Sequence, residues 1–175
     1  MNWAGFRKAA PEQTRAAEKM FERAGVVLVG TVRKDGSPRI SPVEPMLVGG
    51  DLYLGMMWRS LKARDLLRDP RCTVHSAIAD RMAKHGEFKL HGRARNVRDR
   101  KERQRYCQAL RKKIGWAPEE PNFHLFAVEV ESAVLFRAKG QAREVLLWRG
   151  RGRVRKYLQT AEDANPKEAE KERRR

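Results

Sequence analysis

The spacing of apolar and polar positions changes several times along this chain, and each change marks an element. From Pro11 to Ala24 the small or apolar residues Ala16, Ala17, Met20, Phe21 and Ala24 recur near helical spacing, and Gly25 supplies a stop, which predicts a helix over 11–24. Beyond it the texture is that of strands. Val26 to Arg33 is one apolar-rich run, Lys34-Asp35-Gly36-Ser37 is a turn, and Pro38 to Val48 carries Ile40, Val43 and Met46 among polar neighbours. Asp-Gly between such runs signals a hairpin. A second turn at Gly49-Gly50-Asp51 leads into Leu52 to Trp58, so the spacing predicts three consecutive antiparallel strands in a meander.

Ser60 then precedes Leu61 to Arg68, a run of helix formers that ends at Asp69-Pro70 because proline disfavours helical geometry in its predecessor. Arg71 to Ala79 and Glu87 to Val97 alternate well enough for two further strands, with Gly86 marking a turn and Gly92 a bulge. Asp99 to Ile114 predicts a helix with Tyr106, Leu110 and Ile114 on one stripe and a solvated basic face. Phe123 to Ala138 reads as a long or broken strand, and Glu144 to Trp148 as the last one. Strands with helices inserted between them make a mainly β, α+β domain over residues 1–150. The polar, basic stretch 151–175 is expected to stay outside the core as a flexible tail.

Composition narrows the picture. With 175 residues, 41% of them hydrophobic, one domain is the default. No apolar run approaches the roughly 20 residues of a spanning helix, and the N-terminus lacks an apolar signal core, so a cytoplasmic protein with no membrane partner is expected. Cys72 and Cys107 have no CxxC spacing and read as two reduced thiols. The chain has 39 Lys and Arg against 22 Asp and Glu, a formal net charge of +17, and such a field attracts anions of every kind. Nucleic acid, an anionic surface and a phosphorylated small molecule all suit it. The GxSxG, GxxxxGK[ST] and HExxH patterns are absent, which leaves hydrolase, nucleotide triphosphatase and zincin readings without their motifs. His75, His85 and His91 fall in different strands or turns without a supporting acidic or thiol group, so no metal is expected.

The most informative stretch is Met57-Trp58-Arg59-Ser60-Leu61-Lys62-Ala63-Arg64, where a strand feeds straight into a helix with a basic first turn. A helix N-terminus is already partly positive. Each cation there is unfavourable by a few tenths of a kcal/mol, up to about 1, unless an anion sits among them. Free first-turn amides, the Ser60 hydroxyl and the cations Arg59, Lys62 and Arg64 together make a phosphate cradle. The competing reading places the same side chains in water on an exposed helix, and the residues alone leave the two balanced.

The run from Val26 through Gly36-Ser37-Pro38-Arg39 and Ser41-Pro42-Val43 to Leu52-Tyr53-Leu54-Gly55, then Ser60-Leu61-Lys62-Ala63-Arg64 to Asp69-Pro70-Arg71, resembles the pyridoxamine 5'-phosphate oxidase-like flavin proteins in order and spacing. The resemblance covers residues 14–149 and implies an antiparallel split β-barrel of the flavin-reductase type. It implies FMN as cofactor, with the deazaflavin coenzyme F420 as the alternative. Ser41, Pro42 and Val43 would lie beside the ring, Met57 and Trp58 along the ring and ribityl edge, and Arg59, Ser60 and Lys62 on phosphate; Arg39 belongs to the same cofactor-binding set. A homodimer with the cofactor at the subunit interface is implied too, Trp148 or Arg149 reaching the other subunit's pocket. The activity implied is an FMN- or F420-dependent oxidoreductase acting on a small molecule, in which the cofactor carries the hydride and no side chain need act as acid or base. Two other classes remain: a nucleic-acid-binding module using the Asp99–Ile114 helix and the basic tail, supported by charge alone, and a haem-binding split barrel, which requires a histidine placed as an axial ligand.

Overall fold

The computed structural model describes residues 1–78, 85–150 and 152–160. Its elements run α1 (Trp3–Ala9), α2 (Pro11–Ala24), β1 (Val27–Val32), β2 (Pro38–Val43), β3 (Pro45–Val48), β4 (Asp51–Met57), α3 (Leu61–Arg68), β5 (Arg71–Ser76), β6 (Glu87–Asn96), α4 (Arg100–Ile114), β7 (Phe123–Lys139), β8 (Ala142–Arg149) and β9 (Arg155–Gln159). Local signals account for many of the boundaries. Gly25 adopts φ 69° and closes α2 through its N–H on the Phe21 carbonyl. Asp99 caps α4 by accepting the Glu102 N–H, and Gly115 at φ 76° ends it.

The stretch Pro38 to Val48 is not one strand. It breaks at Glu44, next to Pro45, which has no N–H to continue a ladder. The halves go to different places: β2 pairs with β1, and β3 with β4. The expected three-strand meander is thus two separate hairpins, at opposite ends of the order β2-β1-β5-β6-β7-β4-β3. Those two end strands are joined through the single residue Glu44, so the sheet must curl until its edges come together. The result is an antiparallel split barrel of the α+β class, its seam lying at the β2–β3 junction.

Strand β7 organises the far side. One of its edges pairs with β6; the other takes β4 at residues 123–127 and β8 at residues 132–139. The β6 ladder shifts register between His91 and Gly92, as the glycine predicted, and a Cβ on Gly92 would overlap the Glu129 carbonyl oxygen. Strands β4 and β7 are buried on both faces. Leu54, Phe126 and Val128 face the barrel interior, whereas Tyr53, Phe123 and Leu125 pack with Tyr106 and Leu110 of α4.

Two elements escaped the sequence pattern. Helix α1 inserts Trp3 and Phe6 into an aromatic cluster with Phe21, Phe88 and Trp148. Strand β9 pairs with β8 inside the stretch expected to be a flexible tail. Residues 151 and 161–175 of that stretch lie outside the described residues, as does Ala79, the expected end of β5. Trp148 is fully buried and its ring centroid lies 4.9 Å from that of Phe6. It belongs to its own chain's core, so the expectation that it reaches another subunit is overturned. Arg149, next in sequence, is exposed.

Candidate functional site

Beside the seam lies a cavity of about 870 Å³. Its walls are the end of β2 (Pro42, Val43), the end of β4 (Met57) with Trp58 of the turn after it, Lys62 of α3, Tyr106 of α4, and the loop carrying Trp116 and Asn122. Five of the residues implied by the resemblance therefore converge: Pro42, Val43, Met57, Trp58 and Lys62. Strand β2 ends the pairing order, so half of its backbone polar groups have no ladder partner, and Pro42 sits at such an edge without an N–H to satisfy.

At the turn between β4 and α3, Arg59 takes φ 57°, the left-handed region that a non-glycine residue adopts only when held there. Its backbone N–H donates to His124 Nε2 at 3.2 Å, and the His124 ring stacks on Trp58 with centroids 4.6 Å apart and planes 12° from parallel. Ser60 follows as the first flanking residue of α3. Its hydroxyl makes no capping hydrogen bond, and Ser60 Oγ is buried without any partner. The expected cap is absent; a donor-acceptor group waits at a helix N-terminus that contains no acidic residue. An unsatisfied buried hydroxyl is unusual and calls for a reason.

Four of the expected residues do not line the cavity: Arg59 and Ser60, which form the turn just before Lys62, and Arg39 and Ser41. Arg39 Nε lies 2.7 Å from Asp65 Oδ2, and the Thr31 hydroxyl donates to the same oxygen at 3.0 Å. Burial pushes the Asp65 carboxyl up, but the hydrogen bonds from Arg39 and Thr31, with the Arg39 and Arg68 charges, outweigh it and hold the group below the usual carboxylate range. Arg39 thus ties β2 to α3 and shares a second, basic concavity of about 640 Å³ with Arg33, Lys34, Arg64 and Arg68.

The structure adds residues that sequence reasoning passed over. Tyr106 had read as core; it is buried, yet it forms the cavity floor against Gly55. Its hydroxyl is pushed up to about 12, chiefly by burial and then by Cys107 and Glu44, so it stays a neutral donor. His124 carried no local signal, because only the β4–β7 register sets it opposite Met56. Among the described residues no group of three or more His, Cys, Asp or Glu is placed to hold a metal ion. No helix among them is long and apolar enough to cross a membrane.

The family profile described as pyridoxamine 5'-phosphate oxidase matches residues 13–136. The chain belongs to the pyridoxamine 5'-phosphate oxidase family. That match runs from α2 through most of β7 and includes every lining residue of the cavity. Among solved structures the chain is similar to a pyridoxamine 5'-phosphate oxidase-related, FMN-binding protein from Nostoc punctiforme, at 15% identity and TM-score 0.64 over 85% of this chain and 95% of that one. It is similar also to a heme-binding protein from Mycobacterium smegmatis (20% identity, TM-score 0.56, 85% of this chain and 59% of that one) and to the heme storage protein HutZ from Vibrio cholerae (15%, 0.54, 70% and 90%). At these identities the likeness shows the fold. No curated protein matches the chain. The chemistry of a phosphate matches the donors present: the orphan Ser60 hydroxyl and the partnerless amides of the first turn of α3 adjoin Lys62, the residue of that turn that lines the cavity.

Proposed function

We propose that the cavity binds a phosphorylated isoalloxazine cofactor, FMN in the first instance, and that the protein is a flavin-dependent oxidoreductase acting on a small molecule. The observation that carries this reading is the buried, unpartnered Ser60 Oγ at the N-terminus of α3. A phosphate there would accept from that hydroxyl and from the amides of the first turn, and Lys62 would supply counter-charge. The bound cofactor supplies the hydride chemistry. The chain's residues position it: the free edge of β2 at Pro42 and Val43 would take the ring, Met57 and Trp58 would keep water from one side, and the Tyr106 hydroxyl would serve as a neutral donor beneath.

Large apolar side chains stand exposed at the cavity, Met57 at 77% and Trp116 at 62%, and Ile40 of β2, outside its lining, is 71% exposed. Such a patch supports a homodimer that covers the cavity and places the cofactor between subunits. The unpaired thiols Cys72 and Cys107 agree with a cytoplasmic address. A haem reading requires an axial ligand, and no histidine lines the cavity.

The second basic concavity favours one further reading of the cofactor. Arg33, Lys34, Arg39, Arg64 and Arg68 outnumber Asp35 and Asp65 there, on the far side of α3 from the cavity. The acidic tail that coenzyme F420 carries and FMN lacks would meet these cations about one helix diameter, ~10 Å, from the cradle.

Titration of the apo-protein with FMN, riboflavin and F420, followed by tryptophan and flavin fluorescence, tests the proposal. Saturable micromolar FMN binding, much weaker riboflavin binding and a loss of about tenfold or more in Lys62→Ala are expected. F420 binding tighter than FMN selects the second cofactor. If neither binds while random duplex DNA does, with affinity collapsing as salt rises, the flavin reading fails and the basic surface is the functional one.

A further inference from the structure

Two consecutive residues of the turn before α3, Trp58 and Arg59, lean on one imidazole. Trp58 stacks on the His124 ring, Arg59 donates its backbone N–H to His124 Nε2, and the Arg59 guanidinium carbon lies 6.0 Å from the Trp58 ring centroid. Ser60, with the orphan hydroxyl, is the next residue, and its own N–H returns to the Met57 carbonyl at 3.1 Å. The left-handed Arg59 is unfavourable for a residue with a side chain and persists only where its surroundings hold it. Among the described residues, His124 Nε2 is the one side-chain acceptor on that amide. The imidazole does not line the cavity and stands behind Trp58.

We infer that His124 is a positioning residue: as a neutral imidazole it holds the Arg59 turn in the shape that presents Ser60 and the α3 amides to the cofactor phosphate, and its protonation releases that turn. The inference rests on the flavin reading for its functional consequence, though not for its geometry. To accept from Arg59, Nε2 must carry a lone pair, which puts the ring proton on Nδ1. Adding a proton turns the acceptor into a donor facing a donor. The charged groups around the ring do not soften this. Arg59 on the turn is a cation, and so is Arg103 of α4, held against Glu120 at 2.6 Å and the Phe123 carbonyl at 3.1 Å on the other face of β7. Strand β4 contributes the uncharged Met56 and Met57. Burial, with Arg103, holds the imidazole below the ordinary histidine range, so it is neutral near pH 7 and charges only on acidification. Cofactor affinity is therefore full at neutral pH and falls as the pH drops through that depressed value.

The test compares wild type, His124→Gln and His124→Phe by FMN titration between pH 5.5 and 7.5. The phosphate monoester itself titrates near pH 6, so the readout is the difference between proteins. Phenylalanine keeps the ring stack and removes the acceptor; glutamine keeps an acceptor that does not titrate. Expected are a loss of about tenfold at pH 7.5 in His124→Phe, near-wild-type affinity in His124→Gln, and an acid-side decline in wild type steeper than in either variant. In an Arg59→Gly background the His124→Phe effect should shrink, because glycine adopts the turn without an anchor. Wild-type affinity and pH profile in His124→Phe, or an affinity that rises on acidification, would overturn the inference. A second readout needs no cofactor: in apo-protein NMR spectra the Arg59 amide must shift along with the His124 titration. An Arg59 amide that stays silent while His124 titrates removes the positioning role even if FMN binds. If the amide follows His124 but no flavin binds at any pH, the positioning stands and the flavin reading fails.

Discussion

The hydroxyl of Tyr106 occupies the space that a Cβ on Gly55 would need, well inside van der Waals contact. Helix α4 and strand β4 thus close on each other at the floor of the cavity. Tyr106 cannot swing away easily, since its ring packs against Tyr53 at 5.9 Å and Phe123 at 6.0 Å. Gly55→Ala is expected to lose about 1–3 kcal/mol of stability through overpacking, read as a lower urea midpoint, and to weaken flavin binding. Adding Tyr106→Phe, which removes the colliding oxygen, should restore part of the stability. A midpoint unmoved by Gly55→Ala would show that the floor is not rigid.

Ser60→Ala should separate folding from binding. The hydroxyl is buried without a partner, so its removal is expected to leave apo stability unchanged or raised by up to about 1 kcal/mol. Affinity for FMN should fall while the weak affinity for riboflavin, which has no phosphate, stays the same. Calorimetric melting of the apo-protein and parallel titrations with both ligands give the comparison; equal losses for the two ligands would place the hydroxyl away from the phosphate.

Strand β9 is held by charge at Glu144, a carboxylate 3% exposed, with Lys156 Nζ at 2.9 Å, Arg137 Nη2 at 2.5 Å and Lys139 Nζ at 3.5 Å. Hydrogen bonds from Lys156 and then Arg137 hold the group down to about 2 from an ordinary 4.5. A depressed folded-state value means that the contribution is full above about pH 4.5 and disappears as the pH falls toward 2. Hydrogen-exchange protection in residues 155–159 should accordingly be lost across that window, before the barrel itself opens. Glu144→Gln should show the same loosening at pH 7; unchanged protection in that variant would mean the β8–β9 ladder holds the strand without the carboxylate.

If the exposed rim covers the cavity in a homodimer, a charge placed on it will split the pair. Met57→Glu is expected to give a monomer in sedimentation, with flavin affinity lowered in step. A monomeric wild type with micromolar FMN affinity would confine the cofactor to one chain.

Much of this was legible in the sequence wherever the cause is local. Asp35-Gly36 made the first hairpin, Gly25 and Gly115 ended helices at positive φ, and Gly92 marked the bulge. The basic turn into α3 was legible for the same reason: Arg59, Ser60 and Lys62 are neighbours, and a helix with a basic first turn carries its electrostatic imbalance within eight residues. Helix α1 was not legible, because seven residues are too few to show a period and only docking on Phe21 and Phe88 reveals why Trp3 and Phe6 are apolar. Strand β9 is exposed nearly throughout, so it shows no alternation; its order comes from β8 and Glu144.

By itself the sequence determined most of the helices and strands, where the chain turns, and that a turn rich in cations follows β4, since turn chemistry, periodicity and helix-end charge act over a few residues. Only the tertiary structure decided that β2 and β3 part at Glu44 to form the seam, that Arg39 is spent on Asp65, and that Trp148 belongs to the core. It alone brought Tyr106 and His124 to the site. Those outcomes depend on pairings between residues tens of positions apart, such as Gly55 with Tyr106 and Arg59 with His124. The register of a curled sheet sets such pairings, and no stretch of sequence encodes them alone.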